Sequence, residues 1–129
     1  MAGQVSILDD NFVVNQANGV KRYTCVVQGA QDHQCSNPAA AGANKFLGVT
    51  QEDKDNGVTA NVRMLGNTYV RAKGPIPAGS ALVIGDTSGY VDVLGNVAGA
   101  KEVVGFALTT ASAAEDLILM SIDKTFISA

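Results

Sequence analysis

The clearest pattern of hydrophobic and polar positions in this chain is an alternation over residues 57–65. Ala60 and Val62 are apolar, whereas Thr59 and Asn61 beside them are polar. A period of two is typical of a β-strand that has one buried face and one exposed face. The pattern therefore predicts a half-buried strand in this stretch.

Turn-forming residues suggest how this strand and a later one are connected. The Leu65-Gly66-Asn67 segment favours a tight turn, and alternation resumes over residues 68–73, which predicts a hairpin around Gly66. Residues 80–84 and 90–94 are also strand-like. Glycines bound the loop between them, which predicts a second hairpin.

Short β-rich segments recur along the rest of the chain, and almost none of it has helical periodicity. The segment over residues 116–122 is apolar on both faces, which predicts a central, well-covered strand. Pro75 and Pro77 predict a stiff extended crossing rather than a paired strand. With about eight to ten strands, the chain is predicted to be all-β, as a small β-sandwich or β-barrel. The other strand candidates are residues 20–28, 45–50 and 102–109.

The first nineteen residues differ from the rest. They mix apolar residues with Asp9, Asp10 and several amide side chains, which is typical of an extended arm that orders against a partner. A length of 129 residues suits one domain. The predicted organisation is an N-terminal arm over residues 1–19 and a single β domain over residues 20–129.

Two strand-loop-strand segments resemble each other at a constant offset of 57 residues. The segment that begins at Phe46 and ends at Leu65 corresponds to the one from Val103 to Ile122, and Gly48 corresponds to Gly105. Two interpretations remain open: a pair of related halves that close one structure, or chance similarity between two simple β units.

The amino-acid composition excludes more classes of function than the chain length does. Only 16% of the residues are charged, the net charge is −3, and there is a single His and no Trp. A chain without a basic surplus lacks the electrostatic footprint of nucleic-acid binding. Few side chains are suited to acid–base or nucleophilic chemistry, and no catalytic motif is present, so no enzymatic activity is expected. No signal peptide or membrane-spanning run is evident, which predicts synthesis in a cytoplasm without membrane association.

The candidate metal and redox residues are few. Cys25 and Cys35 are interpreted as reduced thiols in an apolar setting, with a disulfide as the alternative. A metal site formed by these cysteines with His33 lacks the usual four ligands in paired short spacings. The acidic stretch over residues 51–56 lacks the spacing of a calcium loop and contains Lys54, so a solvated loop is favoured. No catalytic, cofactor-binding or metal site is predicted.

From residue 45 onward, the order of motifs resembles the small capsid decoration (cement) proteins of tailed bacteriophages. These proteins are short and rich in Ala, Gly and Val. The resemblance rests on a strand with Gly-Val, a longer strand that ends in Gly, a crossing with Ile-Pro-Ala-Gly and a closing strand with Val-Gly-Phe-Ala. In this sequence those motifs are Phe46-Leu-Gly-Val-Thr50, Gly57-Val-Thr-Ala-Asn-Val-Arg-Met-Leu-Gly66, Ile76-Pro-Ala-Gly79, Gly89-Tyr-Val91 and Val103-Val-Gly-Phe-Ala-Leu108.

The resemblance implies a β-sandwich or β-barrel protomer, usually a homotrimer, that docks on the outside of the expanded phage head. It would clamp neighbouring subunits of the major capsid protein against internal DNA pressure, at sites of threefold or quasi-threefold symmetry. The protein is then expected on the capsid exterior of the virion after synthesis in the host cytoplasm. No cofactor, nucleic acid or membrane is implied as a partner.

Given this resemblance, the N-terminal arm is the hypothesised capsid-docking element. Its apolar residues Val5, Ile7, Leu8 and Phe12 are expected to contact the capsid, for example by adding a strand to a capsid sheet. Deletion of residues 2–14 is expected to abolish capsid binding and leave the rest folded. The alternative function is a glycan-binding or tail-associated β-module, for which four Phe, three Tyr and no Trp offer few aromatic platforms.

Overall fold

The structure is a computed structural model that describes residues 4–126, and it confirms the predicted all-β class. Nine strands alternate with short loops, and a single-turn 3-10 segment, Leu94–Asn96, interrupts them. No helix in the described part of the chain is long and apolar enough to cross a membrane. The strands are β1 (Val5–Val14), β2 (Cys25–Gln28), β3 (Gln34–Ser36), β4 (Phe46–Thr50), β5 (Thr59–Arg71), β6 (Ala81–Ile84), β7 (Val91–Val93), β8 (Glu102–Ala107) and β9 (Leu117–Phe126).

All nine strands form one mixed sheet, and the long strand β5 belongs to two circuits of pairing. The order β1-β3-β2-β4-β5 returns on itself because β1 also pairs antiparallel with β5. In the other direction the order is β5-β9-β8-β6-β7, and a bridge between Ala72 and Val91 brings β7 back to the end of β5. Because this second closure is an isolated bridge, the sheet is not formally a barrel.

Two clusters of buried apolar side chains form the core. The smaller cluster is built around Phe12 and Val62, and the larger one around Val70 and Met120. Even-numbered residues of β5 therefore contribute to both clusters: Ala60 and Val62 from its first half lie in the smaller cluster, and Val70 from its second half lies in the larger one. This is the half-buried alternation that the sequence predicted for residues 57–65, now extended across the whole strand.

Strands β2 and β4 separate the two clusters and contribute to both. Cys25 lies in the larger cluster, and the next residue, Val26, lies in the smaller one. In β4, Phe46 belongs to the larger cluster and Leu47 packs against the smaller one. A strand covered on both faces has apolar residues on both faces, which explains the apolar composition of these segments.

The hairpin predicted around Gly66 is wrong, because β5 continues through this glycine without turning. The two halves of β5 pair with different neighbours: residues 59–67 with β1, and residues 67–71 with β9. Gly66 has a φ of 112°, and a side chain there would collide with the carbonyl oxygen of Val5. The glycine is therefore explained by the close approach of β1 rather than by a turn.

The other predicted strands are present, although the one predicted over residues 20–28 is formed only at Cys25–Gln28. β6 and β7 form the second hairpin, in which Leu82 pairs with Val93. β9 lies between β5 and β8, as expected for a central strand. The proline crossing forms no strand, and Ile76 between its prolines makes a single bridge with Ala111. The two prolines explain why the crossing forms no strand, since each fixes its own φ angle and lacks an N–H donor.

The described part of the N-terminal segment forms a paired strand within the chain itself, without a partner protein. β1 pairs antiparallel with β5 over Val5 to Val13, and its end pairs in parallel with β3. Phe12 and Val14 are buried in the smaller core cluster. Deletion of residues 2–14 would remove part of this core, so a loss of capsid binding in that variant would not distinguish lost docking from lost folding. The division into an arm over residues 1–19 and a domain over 20–129 remains a prediction.

The two segments that resemble each other in sequence have similar local structure. β4 and β5 pair antiparallel, and so do β8 and β9. A side chain at Gly48 would collide with the carbonyl oxygen of Arg63, and one at Gly105 with that of Ser121. Each glycine thus allows a close approach of its partner strand, which adds to the sequence similarity between the two units.

Candidate functional site: an exposed apolar face

The two cysteines are buried free thiols that lie in different core clusters. Burial raises the pKa of the Cys25 thiol far above its ordinary value and raises the pKa of Cys35 to about 11. A thiol acts as a nucleophile or metal ligand in its ionised form, so both serve as small apolar core residues. Residues 4–126 contain no group of three or more His, Cys, Asp or Glu side chains placed to hold a metal ion.

The remaining candidates for chemistry have structural roles. The Nε2 atom of His33 lies 3.2 Å from Oδ2 of Asp10, and its ring stacks on Phe12 with 4.6 Å between ring centroids. In the acidic stretch before β5, the Asp53 carboxylate accepts a hydrogen bond of 2.7 Å from the backbone N–H of Arg22. These contacts join chain segments that are distant in sequence, and they assemble no reactive constellation.

The four residues predicted to dock on a capsid differ in their accessibility. Phe12 is 5% exposed and belongs to the smaller core cluster, so its side chain is not available to a partner. Val5, Ile7 and Leu8 are exposed, and Leu8 pairs with the exposed Leu65 of β5. Phe12 differs because side chains alternate along β1, and its position faces inward.

A polar cluster holds the exposed part of β1 against β5. The Asp9 carboxylate accepts hydrogen bonds from Arg63 Nε at 3.0 Å and from Arg63 Nη2 at 3.3 Å. Asn61 and Ser6 also donate to it, at 3.2 and 2.8 Å. The hydrogen bond from Arg63 is the main reason that the pKa of Asp9 lies below its ordinary value. The cluster fixes the position at which Leu8 and its neighbours are displayed.

Strand pairing brings further residues onto the face that carries Val5. Directly paired residues point to the same side of a sheet, and so do residues two positions apart along a strand. One row of pairs runs from Val5 through Asn67 and Ser121 to Phe106, and so crosses β1, β5, β9 and β8. The exposed part of β1 is therefore one margin of a larger surface.

Two neighbouring rows extend this surface along the strands. Tyr69 pairs with Leu119, and the backbone N–H of Leu108 donates to the carbonyl oxygen of Leu119 at 2.8 Å. In the next row, Arg71 pairs with Leu117. We name this surface the four-strand face. Its exposed apolar residues are Val5, Leu8, Leu65, Phe106, Leu108 and Leu117.

The four-strand face carries six of the ten exposed large hydrophobic residues in the described chain. Leu119, near its centre, is only 4% exposed although it belongs to neither core cluster. Contiguous exposed apolar patches mark interaction surfaces, whereas single exposed residues do not. The arrangement is suited to binding another protein.

Sequence reasoning found only the β1 margin of this face. The segment over residues 116–122 was predicted to be covered on both sides, yet Leu117 is 48% exposed. β5 and β8 flank β9 at its edges but leave one of its faces open near this end. The alternating positions of Phe106 and Leu108 could have indicated part of this face. Such alternation places two apolar residues on one side of a strand, but it does not show whether another part of the chain covers that side.

Comparison with protein families shows what kind of protein carries this face. The model of the phage cement protein family matches residues 8–122, which include most of β1 as well as the later strands. The chain belongs to the phage cement protein family. The resemblance noted from residue 45 onward therefore extends through the N-terminal part, including Cys25 and His33. No curated protein matches this cement protein.

Among solved structures, the cement protein is similar to the crystal structure of the N base of head fiber gp8.5 in bacteriophage phi29. The TM-score is 0.67 at 20% sequence identity, and the match covers 95% of this chain and 100% of that chain. At this level of identity the likeness concerns the fold.

Membership in the cement family establishes the general role of the protein. It is a capsid-associated structural protein of the phage virion, located at the head, and it is not an enzyme. This agrees with the predicted role and with the scarcity of reactive side chains in the sequence.

Proposed function

We propose that this cement protein binds the outer surface of the phage head through the four-strand face and stabilises the expanded capsid. The observation that carries the proposal is the concentration of exposed apolar residues on one face of four paired strands. The capsid partner is the major capsid protein, and the protein acts as a decoration protein that holds neighbouring capsid subunits together.

The chemistry of the face suits this role. Binding buries apolar surface at a gain of roughly 25 cal/mol per Å², and few charged groups must lose their water in the process. The charge on the β1 side is already neutralised, since Asp9 and Arg63 form an ion pair at 3.0 Å. Many weak contacts repeated over a symmetric shell add up to a high avidity.

We propose different roles for the N-terminal residues of the docking hypothesis. Val5 and Leu8 lie on the four-strand face and are proposed to contact the capsid, with the exposed Ile7 at its margin. Phe12 is proposed to act indirectly, since its burial anchors β1 to the core and so positions Val5 and Leu8.

We test this function with expanded, undecorated heads mixed with purified protein and sedimented. The wild-type chain is expected to co-sediment at stoichiometric occupancy and to raise the temperature at which the heads release DNA. Leu108→Asp and Leu117→Asp each place a carboxylate in the contact and are expected to weaken binding by about tenfold or more. The control is Val58→Asp, because Val58 is 45% exposed but lies outside the four-strand face. Full binding by the two face variants would contradict the proposal.

A homotrimer is the proposed assembly state, as the family resemblance implies. A trimer on a threefold site presents three copies of the face, so its affinity for the shell exceeds that of one copy. Light scattering of the isolated protein is expected to give three times the chain mass of 13.2 kDa. A monomer both in solution and on the head would contradict this part of the proposal.

A further inference from the structure

A cleft of about 460 Å³ is lined by residues around the start of β4 and the end of β9. The exposed apolar residue that borders it, Phe126, is 67% exposed and does not belong to the four-strand face. A protein that holds two neighbouring capsid subunits together needs a contact surface for each of them. The four-strand face is one such surface, so the cleft is a candidate for the second.

The cleft combines positive charge with apolar surface. Lys45 and Lys124 supply the charge, and Phe46, Leu47 and Phe126 supply the apolar surface. No carboxylate of residues 4–126 lines the cleft, and neither ammonium group lies within 4.0 Å of a carboxylate in that part of the chain. In a protein with a net charge of −3, this is a local site of positive charge that lacks an anionic partner.

One of the two ammonium groups is held in place at the floor of the cleft. Lys124 Nζ donates to the carbonyl oxygen of Phe46 at 3.0 Å, and the Phe46 N–H donates to Glu102 Oε1 at 2.7 Å. Because an ammonium group has three donors, Lys124 keeps two for a ligand. Glu102 is 1% exposed and does not line the cleft, so its carboxylate is not accessible from there. The missing partner is therefore an external anion.

The second ammonium group belongs to a residue with an unusual backbone conformation. Lys45 has a φ of 65°, in the left-handed region that residues other than glycine seldom adopt. The backbone N–H of Gln28 donates to its carbonyl oxygen at 3.2 Å, which helps to hold the Lys45 backbone in this position. The Lys45 side chain is exposed and makes no hydrogen bond to the rest of residues 4–126. Such strained positions are frequent where a side chain is presented to a ligand.

We propose that this cleft binds a segment of the major capsid protein in which a carboxylate lies beside an apolar side chain. The carboxylate accepts charge-assisted hydrogen bonds from Lys45 and Lys124, and the apolar side chain packs on Phe126. The four-strand face and the cleft then contact neighbouring capsid subunits, so that one copy of the cement protein joins the two. This inference rests on the proposed function and deepens it, because it identifies the second contact and its chemistry.

Head binding and head stabilisation are expected to separate in a charge-reversal variant. Lys45→Glu is expected to weaken co-sedimentation with expanded heads by about tenfold. At concentrations that restore full occupancy through the four-strand face, it should give about half or less of the wild-type rise in DNA-release temperature. Lys45→Arg keeps the charge and should bind within about twofold of the wild type.

The matched control is Lys21→Glu, which makes the same charge change at an exposed position. Lys21 lies at the opposite end of β4, where its carbonyl oxygen accepts a hydrogen bond from Thr50 Oγ1. This variant is expected to bind and stabilise heads like the wild type. Urea denaturation of each variant verifies that the fold is intact, since neither lysine side chain is part of the core.

Carbodiimide cross-linking of decorated heads identifies the occupant of the cleft. The reagent forms an amide bond between an ammonium group and a carboxylate that are in direct contact. Mass spectrometry is expected to find Lys45 or Lys124 joined to an Asp or Glu of the major capsid protein. The Lys45 product should be absent in Lys45→Arg, because a guanidinium group does not form this amide.

The outcomes distinguish this inference from the proposed function. If Lys45→Glu binds and stabilises heads like the wild type while Leu108→Asp and Leu117→Asp bind weakly, the cleft assignment is wrong and the proposed function stands. If the Leu variants bind fully while Lys45→Glu does not, the four-strand face is wrong and the cleft contact is supported. Cross-links that join Lys45 only to another copy of this chain would overturn the inference, because the occupant would then be a second copy.

Discussion

Glu102 is the least compensated polar residue in the described chain. It is 1% exposed, and although Oε1 accepts the Phe46 N–H, Oε2 has no hydrogen-bond partner. In residues 4–126, no cationic side chain lies within 4.0 Å of this carboxylate. A buried charge without a counter-charge destabilises the folded state, whereas the hydrogen bond to Phe46 stabilises it.

Glu102→Gln is therefore expected to stabilise the protein. The amide keeps the shape of the side chain and an acceptor for the Phe46 N–H, but it removes the charge. We expect the free energy of unfolding in urea to rise by about 1–2 kcal/mol. Glu102→Ala is the control, and it should lower the free energy of unfolding because the Phe46 N–H loses its acceptor. A Gln variant less stable than the wild type would show that the charge itself is stabilising.

Asp9 gives the protein a defined sensitivity to acid. Its pKa is lowered in the folded state, chiefly by the hydrogen bond from Arg63, so the ionised carboxylate stabilises the attachment of β1. This stabilisation is complete above the unfolded pKa of about 3.8 and is lost as pH falls through the lower folded value. Asp9→Asn is expected to be less stable than the wild type at pH 7, and the difference should shrink as pH falls below 3.8 and vanish below the lowered pKa of the folded state.

The measurement for Asp9 is urea denaturation at a series of pH values. Asp32→Asn is the control, because the exposed Asp32 makes no side-chain hydrogen bond within residues 4–126. It should track the wild type at every pH. A stability difference for Asp9→Asn that persists unchanged into acid would mean that the Arg63 ion pair is not its cause.

At the scale of the element, β5 organises the fold. Its first half supplies Ala60 and Val62 to the smaller core cluster, and its second half supplies Val70 to the larger one. The strand can be this long because Gly66 lets β1 approach closely at its midpoint. A side chain at this position would separate β1 from β5 and disturb the margin of the four-strand face.

Gly66→Ala is expected to lower the free energy of unfolding by about 3 kcal/mol or more, because the new methyl group meets the carbonyl of Val5 and the φ of 112° is strained. Gly57→Ala is the matched control. Gly57 also has a positive φ, of 85°, but nothing lies within 4 Å of its added Cβ, so a cost of about 1 kcal/mol is expected. Equal losses in thermal denaturation would show that backbone strain alone explains Gly66.

At the scale of the whole molecule, the two core clusters share the walls formed by β2 and β4. Because Cys25 faces the larger cluster and Val26 the smaller one, neither cluster can be exposed without moving the same strand. The molecule is expected to unfold as one cooperative unit.

Thiol labelling along a urea titration tests this cooperativity, because Cys25 and Cys35 report on different clusters. Both are expected to become reactive at the same urea concentration, coincident with the loss of β-sheet circular dichroism. Phe12→Ala, in the smaller cluster, should shift both labelling curves together and lower the free energy of unfolding by about 3 kcal/mol. Labelling of Cys35 well before Cys25 would contradict a single unit.

Sequence alone determined the all-β class, the strands around residues 81–84, 91–93 and 102–107, the apolar role of the cysteines and the resemblance to cement proteins. These properties depend on side-chain alternation, turn residues and composition, which are local. The same local patterns led to the wrong prediction of a turn at Gly66, because a turn and a close approach of two strands both favour glycine.

Only the tertiary structure decided where β1 pairs, which sides of the strands are covered and which edges remain open. Burial of Phe12 and exposure of Leu117 depend on neighbours more than 45 residues away in sequence, such as Ala60 and Arg71. Alternation indicates that a strand has two faces, but pairing determines what covers each of them. The four-strand face belongs to four strands from distant parts of the chain, so no single segment of the sequence contains it.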